Sequence, residues 1–137
     1  MANKKTEKRN DKKSAVKKWI LVPVFGEREQ DPHFIHSINN ASKIILLFVV
    51  DQKSVQGIPT GFIGGKIKTG EETISKIKKS LSRTIEVKDY VEWGTWEQKI
   101  ENTSLLEHVD EIVMVKDKKS RKIAEQLEQR GLKVRLI

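Results

Sequence analysis

A group of basic residues stands near the end of the chain, where a predicted strand gives way to a predicted helix: Lys116, Lys118, Lys119, Arg121 and Lys122. Exposed cations at a helix start oppose the helix dipole by about 0.3–1 kcal/mol each, whereas the free backbone N–H groups there attract anions. A phosphate-bearing ligand held by these lysines and Ser120 would relieve the repulsion. The alternative is that water and salt screen the charges and Asp117 caps the helix.

Other groups that could do chemistry are not arranged for catalysis. His33 and His36 stand three residues apart and could share a metal, but no third ligand cluster accompanies them, so solvent-facing histidines are the favoured interpretation. His108 ends a predicted helix, where a cation suits the dipole. The chain contains no Gly-x-Ser-x-Gly, Walker or dinucleotide motif. We therefore predict that it is not an enzyme and has no metal site or resident cofactor, with a bound nucleotide the one open possibility.

Two tryptophans, Trp93 and Trp96, bracket Gly94 at the end of a predicted strand. An aromatic wall for a planar base is one interpretation of this pair. Packing in the hydrophobic core is the other, and the more common use of such residues.

Hydrophobic runs alternate with amphipathic segments along most of the chain. The order β-α-β-α-β-α-β-α-β predicts a doubly wound α/β fold, with a parallel sheet between helices. Ligands of such folds bind outside the carboxyl ends of the strands. The predicted strands are Trp19–Phe25, Lys43–Asp51, Val87–Trp93, Glu111–Val115 and Lys133–Ile137, and the predicted helices are Pro32–Ser42, one from Thr69, one from Thr95, and Lys118–Arg130.

Glycines and capping signals predict the boundaries of the middle helices. Five of the eight glycines lie between Gly57 and Gly70, which predicts a mobile connection. Two capping boxes follow, at Thr69–Glu72 and Thr95–Gln98. The helix after the second box is expected to bury Trp96, Ile100, Val109 and either Leu105 or Leu106.

Composition and charge limit the classes of protein to which the chain can belong. The chain has 137 residues, no cysteine, and no apolar run longer than the seven residues Ile44–Val50, which predicts a cytoplasmic protein without a membrane span. Residues 1–18 hold eight Lys/Arg against two acidic residues, a net charge of +6 out of +8. We predict a disordered basic tail over 1–18 and a single α/β domain over 19–137. The tail could bind nucleic acid or only aid solubility.

The sequence resembles the universal stress protein family over Trp19–Ile137. The phrases that carry the resemblance are Trp19-Ile-Leu-Val-Pro-Val24, Ile45-Leu-Leu-Phe-Val-Val-Asp51, Gly94-Thr-Trp-Glu-Gln-Lys-Ile100 and Val109-Asp-Glu-Ile-Val-Met-Val115. The resemblance implies a five-stranded sheet in the order 3-2-1-4-5. It also implies a homodimer, paired here through the terminal strand Val134–Ile137.

Some members of that family bind ATP, through an acidic residue after the first strand and a glycine loop after the fourth. This chain has Phe25 at the first place and Lys116-Asp-Lys-Lys-Ser-Arg121 at the second. Without those glycines the backbone cannot approach a triphosphate closely. Only Asp51 is carried over from the family as a possible ribose or adenine contact.

Three functions follow from these observations. The first is a non-catalytic, homodimeric regulatory or binding module of the universal-stress-protein type, with a degenerate nucleotide site. The second is a sensor of nucleotides or phosphorylated ligands, which would use Phe25, Asp51, Lys116, Lys118, Lys119 and Ser120. The third is a nucleic-acid accessory protein that binds through residues 1–18.

Overall fold

The computed structural model describes residues 18–51, 57 and 60–137. Within these residues, five strands and four α-helices alternate, with a short 3-10 helix at Glu27–Gln30. The strands are β1 (Trp19–Pro23), β2 (Lys43–Asp51), β3 (Glu86–Gly94), β4 (Glu111–Met114) and β5 (Val134–Leu136), and the helices are α1 (Pro32–Ile38), α2 (Thr60–Ser80), α3 (Trp96–Glu107) and α4 (Lys118–Gln129).

All strand pairs are parallel, and the order across the sheet is β3-β2-β1-β4-β5. This confirms the predicted fold class. The run Ile44–Leu47 is buried on both faces of the sheet, as expected of a central parallel strand. β1 stops at Pro23, since a proline cannot donate to the strand ladder.

Helices cover both faces of the sheet, and each face has its own apolar core. On one face Ile35, Ile38, Ile74 and Ile77 from α1 and α2 pack against the strands. On the other face the helices α3 and α4 contribute Trp96, Ile100, Ile123, Ala124 and Leu127. The cavity described below lies at the end of these layers where β1 and β2 finish.

The start of α2 corrects the sequence prediction. The helix begins at Thr60, so Gly61, Gly64, Gly65 and Gly70 lie inside it rather than in a mobile connection. Thr69 is an interior residue whose hydroxyl donates to the carbonyl of Gly65, at 2.9 Å, instead of capping a helix. Glycine lowers helix propensity, and the buried apolar residues that anchor α2 to the sheet, Ile74 and Ile77, come later in the helix.

The third helix also differs from its prediction. Leu105 and Leu106 are 59% and 69% exposed, so neither is a core residue. Counting from Trp96 and Ile100 at 3.6 residues per turn places positions 103, 104 and 107 toward the sheet, and these are the buried ones. Thr95 stands at the N-cap position but makes no side-chain capping hydrogen bond.

The first helix begins where the sequence predicts but ends earlier. Its N-cap Asp31 accepts hydrogen bonds from the backbone N–H groups of His33 and Phe34, and Pro32 occupies the first helical position. The helix ends at Ile38 rather than Ser42. Asn39 and Asn40, which favour turns over helix interiors, follow at once.

The predicted basic tail, residues 1–18, falls outside the described residues except for Lys18. Its separation from the α/β domain and its binding to nucleic acid therefore stay predictions. Among the described residues, no helix combines the length and apolar character that a membrane span requires.

Candidate ligand-binding site

A cavity of about 970 Å³ opens at the carboxyl ends of β1 and β2. This is where α/β sheets of this kind hold their ligands. The described lining comes from the segment Val24–Glu27 after β1, the segment Phe48–Asp51 ending β2, one side of α2, and single side chains at the starts of α3 and α4. Five elements therefore converge on one space.

An aromatic pair forms one wall of the cavity. The rings of Phe25 and Trp96 lie 4.4 Å apart between centroids, inclined at 45°. Phe48 meets the Trp96 ring edge-on at 6.3 Å and 82°. Offset and edge-on geometries are the favourable ones for aromatic rings, so the wall is held in place by its own contacts.

Lys119 covers this aromatic pair. Its Nζ lies 5.1 Å from the Phe25 ring centroid and 5.2 Å from the Trp96 ring centroid. Both distances are within the range of cation–π attraction. The site thus has an apolar aromatic wall with a positive charge close to both rings.

Trp96 is 4% exposed, and its indole N–H has no hydrogen-bond acceptor among the described residues. Buried indole N–H groups usually find a partner, and leaving a buried donor unpaired costs about 1–3 kcal/mol.

The six sequence-predicted site residues divide into two sets. Phe25, Asp51 and Lys119 line the cavity, whereas Lys116, Lys118 and Ser120 do not. Helix phase explains the division: each helical residue turns the side chain by about 100°, so Lys119 faces the cavity while its neighbour Lys118 does not. The predicted helix-start cluster is therefore not a single site.

Ser120 is fully buried and has a structural role in the cap of α4. Its hydroxyl donates to the carbonyl of Val115 at 2.6 Å and accepts from the backbone N–H of Asp117 at 2.8 Å. These bonds fix the turn from β4 into α4, which leaves the hydroxyl turned away from the cavity lining.

Asp117 occupies the start of α4 with its own carboxylate. Oδ1 accepts from the backbone N–H of Ser120 at 2.8 Å, and Oδ2 accepts from Arg28 Nη1 at 2.7 Å. Burial alone would raise the pKa of Asp117, but these hydrogen bonds and the charge of Arg28 outweigh it and lower the pKa. The carboxylate is therefore ionised at neutral pH.

A buried carboxylate shapes the segment that carries Phe25. Glu29 is almost fully buried, and its Oε1 accepts from the backbone N–H of Gly26 at 3.1 Å. Desolvation by burial raises the pKa of Glu29 despite hydrogen bonds from the backbone. The contact closes the segment Phe25–Glu29 into a compact turn at the cavity's edge.

The sequence analysis missed the contribution of α2. Phe62, Lys66, Thr69 and Thr73 line the cavity from one side of this helix. Their spacing of four, three and four residues is the helical signature. It was hidden by the interpretation of Gly57–Gly70 as a loop.

The structure also gives the positions of Trp93 and of the two histidines His33 and His36. Trp93 is 48% exposed, so it is not a core residue, and it is absent from the described cavity lining. His33 and His36 are exposed on α1. Within residues 18–51, 57 and 60–137, no group of three or more His, Asp or Glu side chains is placed to hold a metal ion.

No protein-family model and no curated protein matches the sequence, but solved structures match the fold. Hypothetical protein MJ0577 superposes with a TM-score of 0.71 at 22% identity, over 89% of this chain and 96% of that one. A protein of the universal stress protein family from Burkholderia pseudomallei gives 0.69 at 16%, over 90% and 97%. A universal stress protein in complex with cAMP gives 0.56 at 12%, over 89% and 97%. The chain therefore has the fold of the universal stress proteins.

Proposed function

We propose that this chain is a non-catalytic regulatory module that binds a small planar ligand in the cavity between β1, β2 and α2. The observation that carries the proposal is the Phe25–Trp96 pair with Lys119 over both rings. A flat ring can pack on such a wall, and an acceptor or anion on that ring can meet Lys119. The complex of one structural neighbour with cAMP supports a ligand of nucleotide size.

The proposed site is a degenerate form of the nucleotide site that the family resemblance implies. Phe25 replaces the acidic residue expected after the first strand, and no glycine lies between Gly94 and Gly131. The absence of a catalytic motif in the sequence supports binding without turnover. Regulation would then follow from the difference between the free and ligand-bound forms.

Ligand binding is tested with a thermal-shift screen of the full-length protein against adenosine, cAMP, ADP and ATP. A ligand that binds only the folded state raises the melting temperature with concentration. We expect at least one ligand to do so, with the dissociation constant then measured by calorimetry. Silence from all four would contradict the proposal.

Two variants of adjacent lysines locate the site. Lys119→Gln removes the cation that would meet an acceptor or anion of the ligand and should weaken binding by about 3- to 10-fold, the net contribution of one hydrogen bond. Lys118→Gln removes the same charge one residue away, outside the described lining, and should leave the affinity within about twofold. Equal effects of the two variants would place the ligand elsewhere.

We also propose that the module acts as a homodimer through Val134–Ile137. β5 is at one edge of the sheet and pairs with β4 on one side only within the described residues. An edge strand presents backbone groups that can pair with a second chain. The predicted dimer would thus extend the sheet across two protomers.

A further inference from the structure

Three basic residues of α4 lie outside the cavity. Lys118, Arg121 and Lys122 are exposed, and none of them belongs to the described lining. Their side chains make no ion pair or hydrogen bond with any residue that the structure describes. Together these three side chains form the α4 basic face.

The α4 basic face lies along one side of the helix. The apolar side that packs on the sheet consists of Ile123, Ala124 and Leu127. Lys118, Arg121 and Lys122 are spaced by three and four residues, which places them together on the opposite side. Their Cα atoms fall within about 6 Å of one another along the helix axis. Three unpaired positive charges are therefore concentrated in a small area, where like charges repel.

The residues at the start of α4 do not compensate these charges. The first turn of the helix contains no acidic residue, and cations there meet the positive end of the helix dipole. The Asp117 carboxylate accepts from Ser120 N–H at 2.8 Å and from Arg28 Nη1 at 2.7 Å, so it caps the helix end and pairs with another element. Conflicts with a local stability rule are typical of functional surfaces.

A second set of exposed cations shows why the position on the helix matters. Lys76, Lys79 and Arg83 also have no ion pair with a described residue. They lie at the end of α2 and just after it, where positive charge suits the helix dipole. The dipole therefore accounts for this set but not for the α4 basic face.

The composition of the α4 basic face indicates the kind of partner. Residues 116–130 include no aromatic side chain, and the large apolar side chains that the structure describes as exposed lie on other elements. Helices that bind membranes insert apolar side chains, and protein interfaces depend on aromatic anchors. Lysine and arginine without such anchors suit phosphate oxygens, which accept charge-assisted hydrogen bonds. The face therefore fits the phosphate backbone of a nucleic acid.

The distribution of charge along the chain supports this partner. Residues 1–18 carry +6 of the net charge of +8, so residues 19–137 carry only +2. The α4 basic face is thus a local concentration of charge on a nearly neutral domain. The basic segment at the start of the chain would add further phosphate contacts, each of which releases counterions from the nucleic acid.

We propose that the α4 basic face binds the phosphate backbone of duplex nucleic acid without reading the base sequence. This function is separate from ligand binding in the cavity and does not depend on it. Single strands are bound largely through aromatic stacking, which α4 does not supply, whereas a duplex presents a high density of phosphate charge. Duplex DNA and duplex RNA share this chemistry, so the experiment compares the two.

Fluorescence anisotropy of labelled mixed-sequence duplexes, titrated with the full-length protein over a series of NaCl concentrations, tests the inference. The logarithm of the binding constant falls with the logarithm of salt concentration by about 0.9 for each phosphate contact. The triple variant Lys118→Gln/Arg121→Gln/Lys122→Gln should therefore reduce this slope by about 2–3 and weaken binding at low salt by at least about tenfold. Its melting temperature should not fall, because the variant relieves the conflict with the helix dipole.

The matched control is Lys76→Gln/Lys79→Gln/Arg83→Gln, which also removes two lysines and one arginine from exposed positions. It should change the slope by less than about 0.5 and the affinity by less than about threefold, since only long-range attraction screened by salt is lost. Equal effects of the two triple variants, or no binding of either duplex by the wild type, overturn the inference. The duplex that binds more tightly identifies the partner. Binding to phosphatidylserine vesicles but to neither duplex also overturns the inference and assigns the face to a membrane surface.

Discussion

A single carboxylate, Glu107, has three polar side-chain partners at the end of the sheet away from the cavity. It is 7% exposed, and it accepts from Lys88 Nζ at 2.9 Å, from Lys43 Nζ at 3.3 Å and from the Tyr90 hydroxyl. The hydrogen bonds from Tyr90 and Lys88 lower the pKa of Glu107 from 4.5 to about 2. Because the three partners belong to β2 and β3, the contact joins the end of α3 to two strands.

The variant Glu107→Gln should lower the free energy of unfolding by about 1–3 kcal/mol at pH 7, since it weakens hydrogen bonds to a charged, buried acceptor. A carboxyl pKa that is lower in the folded state stabilises the protein above the ordinary pKa. The difference in the free energy of unfolding between wild type and variant should therefore be largest above about pH 4.5. It should shrink as the pH falls toward 2. Urea unfolding curves across this range measure it.

Glu86→Gln is the matched control for that prediction. Glu86 also lies near Lys43, at 3.9 Å, but its side chain is 66% exposed. Exposed ion pairs contribute little, so this variant should change the stability by less than about 0.5 kcal/mol. A loss equal to that of Glu107→Gln would contradict the role assigned to the buried cluster.

At the scale of elements, α2 carries glycines with two different roles. A Cβ at Gly70 would lie 2.6 Å from the ring of Phe48, so glycine there allows the helix to approach β2 closely. A Cβ at Gly64 would meet nothing within 4 Å. The first glycine is required by packing, whereas the second has no steric reason to be glycine.

Substitution by alanine should therefore change stability in opposite directions at these two positions. Gly64→Ala should raise the free energy of unfolding by about 0.5–1 kcal/mol, because alanine is the better helix former. Gly70→Ala should lower it by about 1–3 kcal/mol, because the Phe48 ring must move. Chemical denaturation of the two variants gives both values. Stabilisation by both would mean that the helix does not pack on Phe48 as described.

The sequence predicts element types better than it predicts their limits. Apolar runs located all five strands, since burial on both faces leaves a strong signal. The first three turns of α2 were not predictable from Gly61, Gly64 and Gly65, because glycine disfavours a helix and the apolar residues that pack on the sheet, Ile74 and Ile77, lie beyond these turns. The orientation of α3 was mistaken for a similar reason: Leu105 and Leu106 are apolar, but their helical phase turns them outward.

The candidate site shows the same limit. The strand order alone predicts that one edge of the sheet holds Phe25, Asp51 and the lysines. The helical phase of α4 decides which lysine reaches the cavity. The position of the Asp117 carboxylate depends on its contact with Arg28, which is 89 residues away along the chain. Contacts of that range leave no mark on local sequence patterns.

For the whole molecule, the edge strand β5 is the surface on which the proposed homodimer depends. The carbonyl of Lys133 accepts from Ile112 N–H, and Ile137 N–H donates to Met114, so alternate residues face β4. Val134 and Leu136 therefore direct their backbone N–H groups outward. Arg135 also bonds Glu111 of β4 at 2.9 Å, which anchors β5 to the sheet independently of its outer edge.

Sedimentation of the variant Val134→Pro tests the dimer. Proline removes the outward N–H of Val134 without touching the bonds to β4. We expect the wild-type protein to sediment at twice its 15.8 kDa chain mass, and the proline variant to sediment as a monomer. Val134→Thr, which keeps the N–H, should stay dimeric. A monomeric wild type at high micromolar concentration would rule the interface out.

The binding claim is tested most directly by the three indole N–H signals in a ¹H–¹⁵N correlation spectrum of the full-length protein. Trp19, Trp93 and Trp96 each give one signal, and Trp19→Phe and Trp93→Phe assign them. On addition of cAMP or adenosine, the account predicts that the Trp96 signal shifts while those of Trp19 and Trp93 stay in place. A saturable ligand that leaves the Trp96 signal unmoved would contradict it.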